Sequence, residues 1–193
     1  MVFKAPARRP RPLAPWLWFV ALFVCGRAVV HLQENPDREC EIKSAYLYNF
    51  AKFVEWPAAS FADRQAPLVI GVLGHGLFGD SLERTIGGRT VREHPVVVRR
   101  IATVEEAQKC HIVFLPATER KSTRHFILGL GRSPVLTVGE ITDFCRFGGD
   151  IGFVREADHI RFEVNLAAAH AAGLTLSSQL LQVAREVLKP GQE

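Results

Sequence analysis

Short apolar blocks recur along the middle of the chain, and each is followed by a segment in which apolar residues return every three or four positions. Such blocks are typical of buried β-strands and lie at residues 68–74, 95–101, 111–116 and 134–140. Helical periodicity separates them, at residues 77–86, 103–108 and 122–130, with a further helical turn at 141–145. Strands and helices that alternate in this way predict a largely parallel sheet with helices on both faces.

The segment before the first block, EIKSAYLYNFAKFVEWP at residues 41–57, predicts a helix over residues 39–55. Pro57 ends it, because a proline keeps the preceding residue out of the helical conformation. One stripe at helical spacing predicts the buried face: Ile42, Ala45, Tyr46, Asn49, Phe50 and Phe53. Since Asn49 lies within this stripe, we expect it to be buried and hydrogen-bonded.

The opposite face of the same helix predicts an exposed surface that carries Ser44 and Tyr48. A tyrosine beside a tryptophan is typical of protein interfaces, although single exposed aromatic residues are also ordinary. The candidate partner-binding residues are Tyr48, Lys52, Glu55 and Trp56.

The C-terminal part predicts an antiparallel hairpin, with strands at 150–156 and 159–165 joined by two residues. Asn165 is placed to cap an Ala-rich helix that ends at Gly173. A final helix, capped by Ser177 or Ser178, is predicted to reach Leu188. The predicted fold is a three-layer α/β domain whose central sheet has about five to six strands, with helices on both faces and the hairpin at the C-terminal end.

The basic residues are concentrated at the start of the chain. The 193 residues carry a formal net charge of +4, but five of the 24 basic residues and none of the 20 acidic ones lie within residues 1–28. The remaining 19 basic and 20 acidic residues nearly balance. A nucleic-acid-binding protein is therefore not indicated.

This basic start is followed by an apolar run at residues 13–24 and by Gly26 and Ala28, the anatomy of a secretory signal peptide cleaved after Ala28. The run is shorter than the ~20 residues that a membrane-spanning helix needs. Three alternatives stay open: a lipoprotein sequence at Cys25, a twin-arginine leader at residues 8–9, and an anchor that is not cleaved. The predicted organisation is a signal peptide at 1–28, a flexible lead-in at 29–38 and a single domain at 39–193.

Export from the cytoplasm would allow disulfides to persist. The secreted chain would hold Cys40, Cys110 and Cys145, so at least one thiol stays unpaired in a monomer. A bridge between Cys110 and Cys145 is one alternative, and two buried free thiols are the other. No Cys or His spacing matches a metal site, so we predict no bound metal.

One short motif is typical of nucleotide binding. Gly74, His75, Gly76 and Gly79 belong to a GxGxxG sequence that follows a predicted strand and opens a helix. A tight turn that needs glycine for its backbone angles explains the same residues. No other catalytic motif accompanies the loop, so we predict no cofactor and no enzymatic activity. A small-ligand sensor or nucleotide-binding enzyme that uses this loop stays the alternative.

Five stretches, in the same order and spacing, resemble the YfiR family over residues 41–188. They are EIKSAYLYNFAKFVEWP, IGVLGHGLFGDSL, CHIVFLP, LTVGE followed by GGDIGFV, and IRFEVNLAAAHAAGLTLSSQLLQVA. The first and last stretches are the specific ones. The family comprises small exported bacterial domains, and the resemblance supplies no catalytic residues.

The resemblance implies a periplasmic regulator that represses a membrane diguanylate cyclase, the enzyme that makes cyclic di-GMP. The implied partner is the periplasmic domain of an inner-membrane diguanylate cyclase or sensor kinase, and the implied assembly is a homodimer. The repressor that this chain resembles has paired cysteines, whereas Cys110 and Cys145 lack those partners.

Overall fold

The computed structural model describes residues 36–76 and 78–189. The predicted signal peptide and most of the predicted lead-in lie outside the described residues. Within the described part of the chain, in the order of the sequence, the strands are β1 (Val54–Glu55), β2 (Leu68–Leu73), β3 (Thr90–Val91), β4 (His94–Ile101), β5 (Ile112–Leu115), β6 (Leu136–Gly139), β7 (Ile151–Glu156), β8 (His159–Asn165), β9 (Thr175–Leu176) and β10 (Glu186–Leu188).

Eight of these strands form one sheet in the order β10-β8-β7-β6-β5-β2-β4-β3, among the residues that the structure describes. The five strands from β7 to β4 run parallel, while β8 is antiparallel to β7 and β3 is antiparallel to β4. The predicted α/β class is therefore confirmed. The sheet is wider than the five to six predicted strands, because the short strands β3 and β10 extend its two edges.

The helices in the described residues are α1 (Pro36–Phe53), α2 (Phe78–Ile86), α3 (Val104–Ala107), α4 (Arg120–Leu130), α5 (Leu166–Ala171) and α6 (Ser178–Val183). Side chains of α1, α2, α5 and α6 share one core cluster with one face of the sheet. Side chains of α3 and α4 share a second cluster with the other face. The molecule thus has three layers.

Strand β2 is buried along its whole length, as expected for a central parallel strand covered on both faces. Its successive residues serve the two clusters in turn, since side chains alternate across a strand: Leu68, Ile70 and Val72 enter the first cluster, whereas Val69 and Leu73 enter the second.

The buried face of α1 differs from the predicted stripe. Leu47, Phe50, Ala51 and Val54 are buried together with Ser44, whereas Ile42 and Asn49 are exposed. At 100° per residue this face is rotated by roughly a third of a turn from the predicted one. The prediction that Asn49 is buried is wrong.

The rotation follows from the size and polarity of the side chains. Ser44 and Ala51 are small and allow α1 to approach its neighbours, and the Ser44 hydroxyl donates to Cys40 O at 2.7 Å, so no polar group is orphaned. Tyr46 lies at the border of the core, where its ring contacts Phe50, Phe153 and Phe162 while its hydroxyl donates to Ile160 O. Aromatic residues with a polar end fit such a border.

The last part of the chain also departs from the prediction. The final helix ends at Val183, and residues 186–188 form β10, parallel to β8. Arg185 N donates to Phe162 O at 2.8 Å and begins this pairing. Val187 and Leu188, predicted to lie in the final helix, belong instead to β10.

The caps predicted for the last two helices, Asn165 and Ser177, are confirmed. Thr103 and Glu106 form a reciprocal capping box at α3. The Asn165 side chain accepts from Ala168 N at the start of α5, and Ser177 caps α6. Residues 141–145, predicted as a helical turn, form turns without a helix.

Two positions beside Phe144 require glycine. Phe144 lies in this turn segment and packs into the second cluster. Its ring lies directly against the backbone of Gly139 and Gly149, where an added Cβ would come within 2.2 and 2.1 Å of ring carbons. A larger residue at either position would displace Phe144, which is 1% exposed.

Candidate functional site

The topology places one crevice at the carboxyl ends of β2 and β5. β2 connects through α2 to β4 on one side, whereas β4 connects through α3 to β5 on the other side of β2. Ligands of open α/β sheets bind where the strand order reverses in this way. The Gly74–Gly79 loop follows β2, and residues 116–119 follow β5, so both segments border this crevice.

An arginine side chain of the protein itself hydrogen-bonds to the glycine loop. Arg100, near the end of β4, donates from Nη1 to Gly76 O at 2.9 Å and pairs through Nη2 with Asp80 Oδ1 at 2.6 Å. A Cβ added at Gly79 would lie 3.3 Å from the Arg100 guanidinium carbon. His75 and Gly76 are exposed. Both terminal nitrogens of Arg100 thus already have partners, one in the loop and one at the start of α2.

A carboxylate lies on the other side of the loop. Gly74 has a φ of +80°, a value that favours glycine. A Cβ at this position would also lie 2.5 Å from Glu119 Oε1, so the Glu119 side chain lies against the loop backbone. A negative charge there disfavours the pyrophosphate that a GxGxxG loop holds in dinucleotide-binding proteins.

A charged cluster covers the neighbouring strand ends. Glu140, which follows β6, accepts from Ala117 N at 3.1 Å and pairs with Lys43 of α1. Lys43 also pairs with Glu39, which pairs with Arg155 of β7. Burial opposes the charge of Lys43, but the carboxylates of Glu140 and Glu39 outweigh this effect and raise its pKa. We call Glu39, Lys43, Glu140 and Arg155 the strand-end ion cluster; it joins α1 to the carboxyl ends of β6 and β7.

The predicted partner-binding residues lie at the C-terminal end of α1 and just beyond it. Lys52 and Glu55 are exposed. Tyr48 is half-buried: its hydroxyl donates to Thr90 O at 3.1 Å, and the cations of Lys52 and Arg89 lie 5.5 and 5.2 Å from its ring centroid. The expectation that this tyrosine is free in the monomer is therefore wrong, because the β3–β4 hairpin covers part of it.

Trp56 makes its contacts within the domain. It is half-buried, and its Nε1 donates to His111 O at 3.1 Å. His111 accepts at Nδ1 from Val69 N at 3.0 Å, so its Nε2 carries the proton and donates to Ser60 O at 3.1 Å. Burial, with the neighbouring His94, lowers the pKa of His111, although the bond to Ser60 acts in the other direction.

Phe61 stacks between two histidine rings, with centroid distances of 4.0 Å to His94 and 4.2 Å to His111. Sequence reasoning missed this cluster, since the two histidines are 17 positions apart and share no helical spacing. The stack holds the loop between β1 and β2 at the amino ends of the strands.

Cys110 and Cys145 are buried and free, and so is the half-buried Cys40. Cys110 Sγ lies next to Gly71 of β2, and Cys145 Sγ lies next to Gly152 of β7. Three strand spacings, roughly 14 Å, separate β2 from β7, whereas a disulfide needs Cα atoms within about 7 Å. The structure therefore contradicts the bridge and matches the alternative of two buried thiols.

A buried carboxyl group was also missed by sequence reasoning. Asp150 Oδ2 accepts from Thr137 N at 2.8 Å and from Thr137 Oγ1 at 2.7 Å. Burial raises the pKa of Asp150 to about 6, although the two bonds from Thr137 act in the other direction. This side chain joins β6 to the start of β7.

Among the described residues, no group of three or more His, Cys, Asp and Glu side chains is arranged to hold a metal ion. In the same part of the chain, no helix combines the length and the apolar character needed to span a bilayer.

Comparisons with known proteins give a family and a fold. Among solved structures, a conserved domain protein from Vibrio cholerae superposes with a TM-score of 0.56 at 11% identity, covering 77% of this chain and 60% of that one. This chain thus spans less than two thirds of that protein. The ABC domain in complex with L-Trp from Streptococcus pneumoniae gives a TM-score of 0.44 at 14% identity, covering 62% and 55% of the two chains.

The search of curated proteins finds no match. The family model described as DUF4154, YfiR/HmsC-like, matches residues 40–185. These residues include all the strands and helices described above except the first turn of α1 and the last strand. The chain therefore belongs to the YfiR/HmsC-like family.

Proposed function

We propose that this protein is a non-enzymatic periplasmic regulator that binds the periplasmic sensor portion of a membrane diguanylate cyclase, represses it and so lowers cyclic di-GMP. The family match over residues 40–185 supports this proposal, because the resemblance of the sequence implies a periplasmic repressor. We further propose that it acts as a homodimer.

One observation carries the choice between a binding protein and a ligand-using enzyme. The protein's own charged side chains line the crevice at the carboxyl ends of the strands: Arg100 on the glycine loop, Glu119 against Gly74, and the strand-end ion cluster beside them. A phosphate that entered the loop would have to displace the Arg100–Asp80 pair and approach the Glu119 carboxylate. The geometry favours a protein that works through its surface.

We place the docking surface at the C-terminal end of α1 and the adjoining β3–β4 hairpin. Lys52 and Glu55 are exposed there, and Arg92 of the hairpin turn donates to Lys52 O and pairs with Glu55 at 3.4 Å. Arg92 and Glu93 both have positive φ, 47° and 76°, which is uncommon for residues with long side chains. Tyr48 and Trp56 support this surface from below.

The experiment is a complementation test in a bacterium that lacks its own copy of the gene. Cellular cyclic di-GMP is measured with the parent protein, with a Lys52→Glu, Arg92→Glu variant and with a matched Arg38→Glu, Arg84→Glu variant on another part of the surface. We expect the parent and the matched control to lower cyclic di-GMP and the first variant to lose this effect. Unchanged melting temperatures would show that all three proteins fold.

A parent protein that leaves cyclic di-GMP unchanged while a membrane extract yields no bound partner would contradict the proposal. The alternative function, a nucleotide sensor or enzyme that uses Gly74, His75, Gly76 and Gly79, predicts instead that a nucleotide raises the melting temperature. We expect no such rise.

A further inference from the structure

The outer face of α4 carries positive charge without compensation on the helix itself. Residues 120–132 contain Arg120, Lys121, Arg124 and Arg132 and no acidic residue. All four are exposed, and no ion pair among the described residues involves them. His125 borders the face and lies near Glu105 of α3. The unpaired cations therefore form a local basic surface on a nearly neutral domain.

Two large apolar side chains lie on the same surface. Leu128 is 69% exposed and Phe147 is 52% exposed, two of the few large hydrophobic residues exposed in the described chain. Arg120, Arg124 and Leu128 follow one another at four-residue spacing, so they form one row along the helix. Gly148 lies against Ile127 of α4, where an added Cβ would be 3.6 Å from Ile127 Cγ2. The adjacent Phe147 therefore belongs to the segment that packs on this helix.

We propose that this basic face of α4, defined by Arg120, Lys121, Arg124, Leu128 and Phe147, binds the surface of a bilayer that contains anionic phospholipids. The inference rests on the proposed function only for the presence of a membrane beside the protein. It assigns a second surface, on the opposite face of the sheet from the docking surface at α1.

The chemistry of the face favours lipid over an acidic protein. The cores of protein interfaces are depleted of charged residues, whereas Leu128 has a cation one turn before it and another two turns before it. Burial against a protein would remove water from these cations, which is costly unless each is paired. At a bilayer, the guanidinium and ammonium groups stay at the hydrated phosphates while Leu128 and Phe147 enter the acyl boundary.

The test uses the periplasmic form of the protein and co-sedimentation with vesicles. One set of vesicles contains phosphatidylglycerol mixed with phosphatidylethanolamine, and the other contains phosphatidylcholine alone. We expect binding to the first set, weakened by salt, and weak binding to the second. Each Lys or Arg near an anionic bilayer contributes about fivefold in affinity, so neutralising three predicts a loss of roughly 100-fold.

Two variants with the same net charge separate the face from general electrostatic attraction. The first is Arg120→Gln, Lys121→Gln, Arg124→Gln, and the second is Arg38→Gln, Arg64→Gln, Arg84→Gln at exposed positions away from α4. We expect the first to lose binding and the second to bind nearly as the parent does. Because all three proteins share the same N-terminal segment, any contribution of residues 1–35 cancels. A Leu128→Ser, Phe147→Ser variant should lose the part of the binding that survives high salt.

Three results would overturn the inference. The first is equal binding to both kinds of vesicle, and the second is an equal loss of binding in the two charge variants. The third is a first variant that binds vesicles like the parent but no longer represses the cyclase. That result would identify an acidic protein surface as the occupant. Vesicle binding is measured without the cyclase. A failure of the proposed function with intact vesicle binding, or the reverse, is therefore distinguishable.

Discussion

Two small polar residues in α1, Ser44 and Asn49, show which side of the helix meets the core. Ser44 is fully buried and donates to the carbonyl of Cys40 within its own helix. Asn49 is exposed, so its amide is available to water. At the residue scale, a hydroxyl that is satisfied within its helix can be buried, whereas the amide of Asn49 stays outside.

Leucine at each position therefore has opposite consequences. Ser44→Leu should lower the free energy of unfolding by about 1–3 kcal/mol, because the larger side chain overpacks a filled site. Asn49→Leu should change it by no more than about 0.5 kcal/mol, as surface substitutions usually do. Urea unfolding of the two variants measures both. A less stable Asn49 variant with an unchanged Ser44 variant would contradict the orientation of α1.

Asp150 gives the stability of the protein a defined dependence on pH. Its pKa is raised from 3.8 to about 6 in the folded protein. The folded state therefore holds this proton more tightly than the unfolded state does. The stabilising contribution of the group is complete below pH 3.8 and is lost as the pH rises through about 6.

Asp150→Asn should remove this loss of stability at higher pH. Its amide oxygen can accept the same two bonds from Thr137, but it carries no charge. We expect the variant to be more stable than the parent by about 1–3 kcal/mol above pH 7, with the difference vanishing near pH 4. Since the parent and the variant share His111, whose lowered pKa acts with the opposite slope, their difference isolates Asp150. Asp158→Asn, at an exposed hairpin position, serves as the matched surface control.

At the scale of elements, the two edges of the sheet are completed by strands of two or three residues. β10 covers one side of β8 through a parallel pairing of residues 186–188 with 163–165. Arg185 strengthens the junction by pairing with Glu163 at 2.5 Å. Without β10, the antiparallel hairpin would end in an unpaired strand edge, which is a hazard for aggregation.

A truncation series tests the role of β10. A chain that ends after Arg185 should lose about 2–4 kcal/mol of stability, because it loses the ladder hydrogen bonds and the burial of Leu188. A chain that ends after Lys189 keeps the strand and serves as the control, with unfolding in urea as the measurement. If both truncated chains unfold at the same urea concentration, β10 contributes nothing.

At the scale of the whole molecule, the proposed surfaces lie on different layers. The proposed docking surface at α1 lies on one face of the sheet, and the basic face of α4 lies on the other. Arg100, Glu119 and the strand-end ion cluster line the crevice at the strand ends. A protein arranged in this way can meet two partners at once.

Export is the remaining whole-molecule prediction. The apolar run at residues 13–24 and the small residues after it predict that the periplasmic form begins at Val29. Mass spectrometry of the intact periplasmic protein measures this directly. Retention of residues 1–28 would show that the leader stays as an anchor, and a chain that begins at a lipid-modified Cys25 would identify a lipoprotein.

The sequence by itself determined the fold class, the order of the elements and most of their ends. Strands β2, β5 and β6 are recognisable as apolar blocks because they are buried on both faces. The caps at Thr103, Asn165 and Ser177 depend on neighbours no more than three residues away. Such local chemistry is written into short stretches of sequence. The family resemblance implies a regulatory role that no single motif carries.

Only the tertiary structure decided which face of α1 is buried and that residues 186–188 pair as a strand. It also decided that Cys110 and Cys145 lie too far apart to bond and that Arg100 and Glu119 lie against the glycine loop. Each of these outcomes depends on contacts between residues that are distant in the chain. Helical periodicity alone did not determine the buried face of α1. That face is set by packing against the sheet and α2, where the small side chains of Ser44 and Ala51 fit. Non-local packing therefore decided the site, while local patterns decided the scaffold.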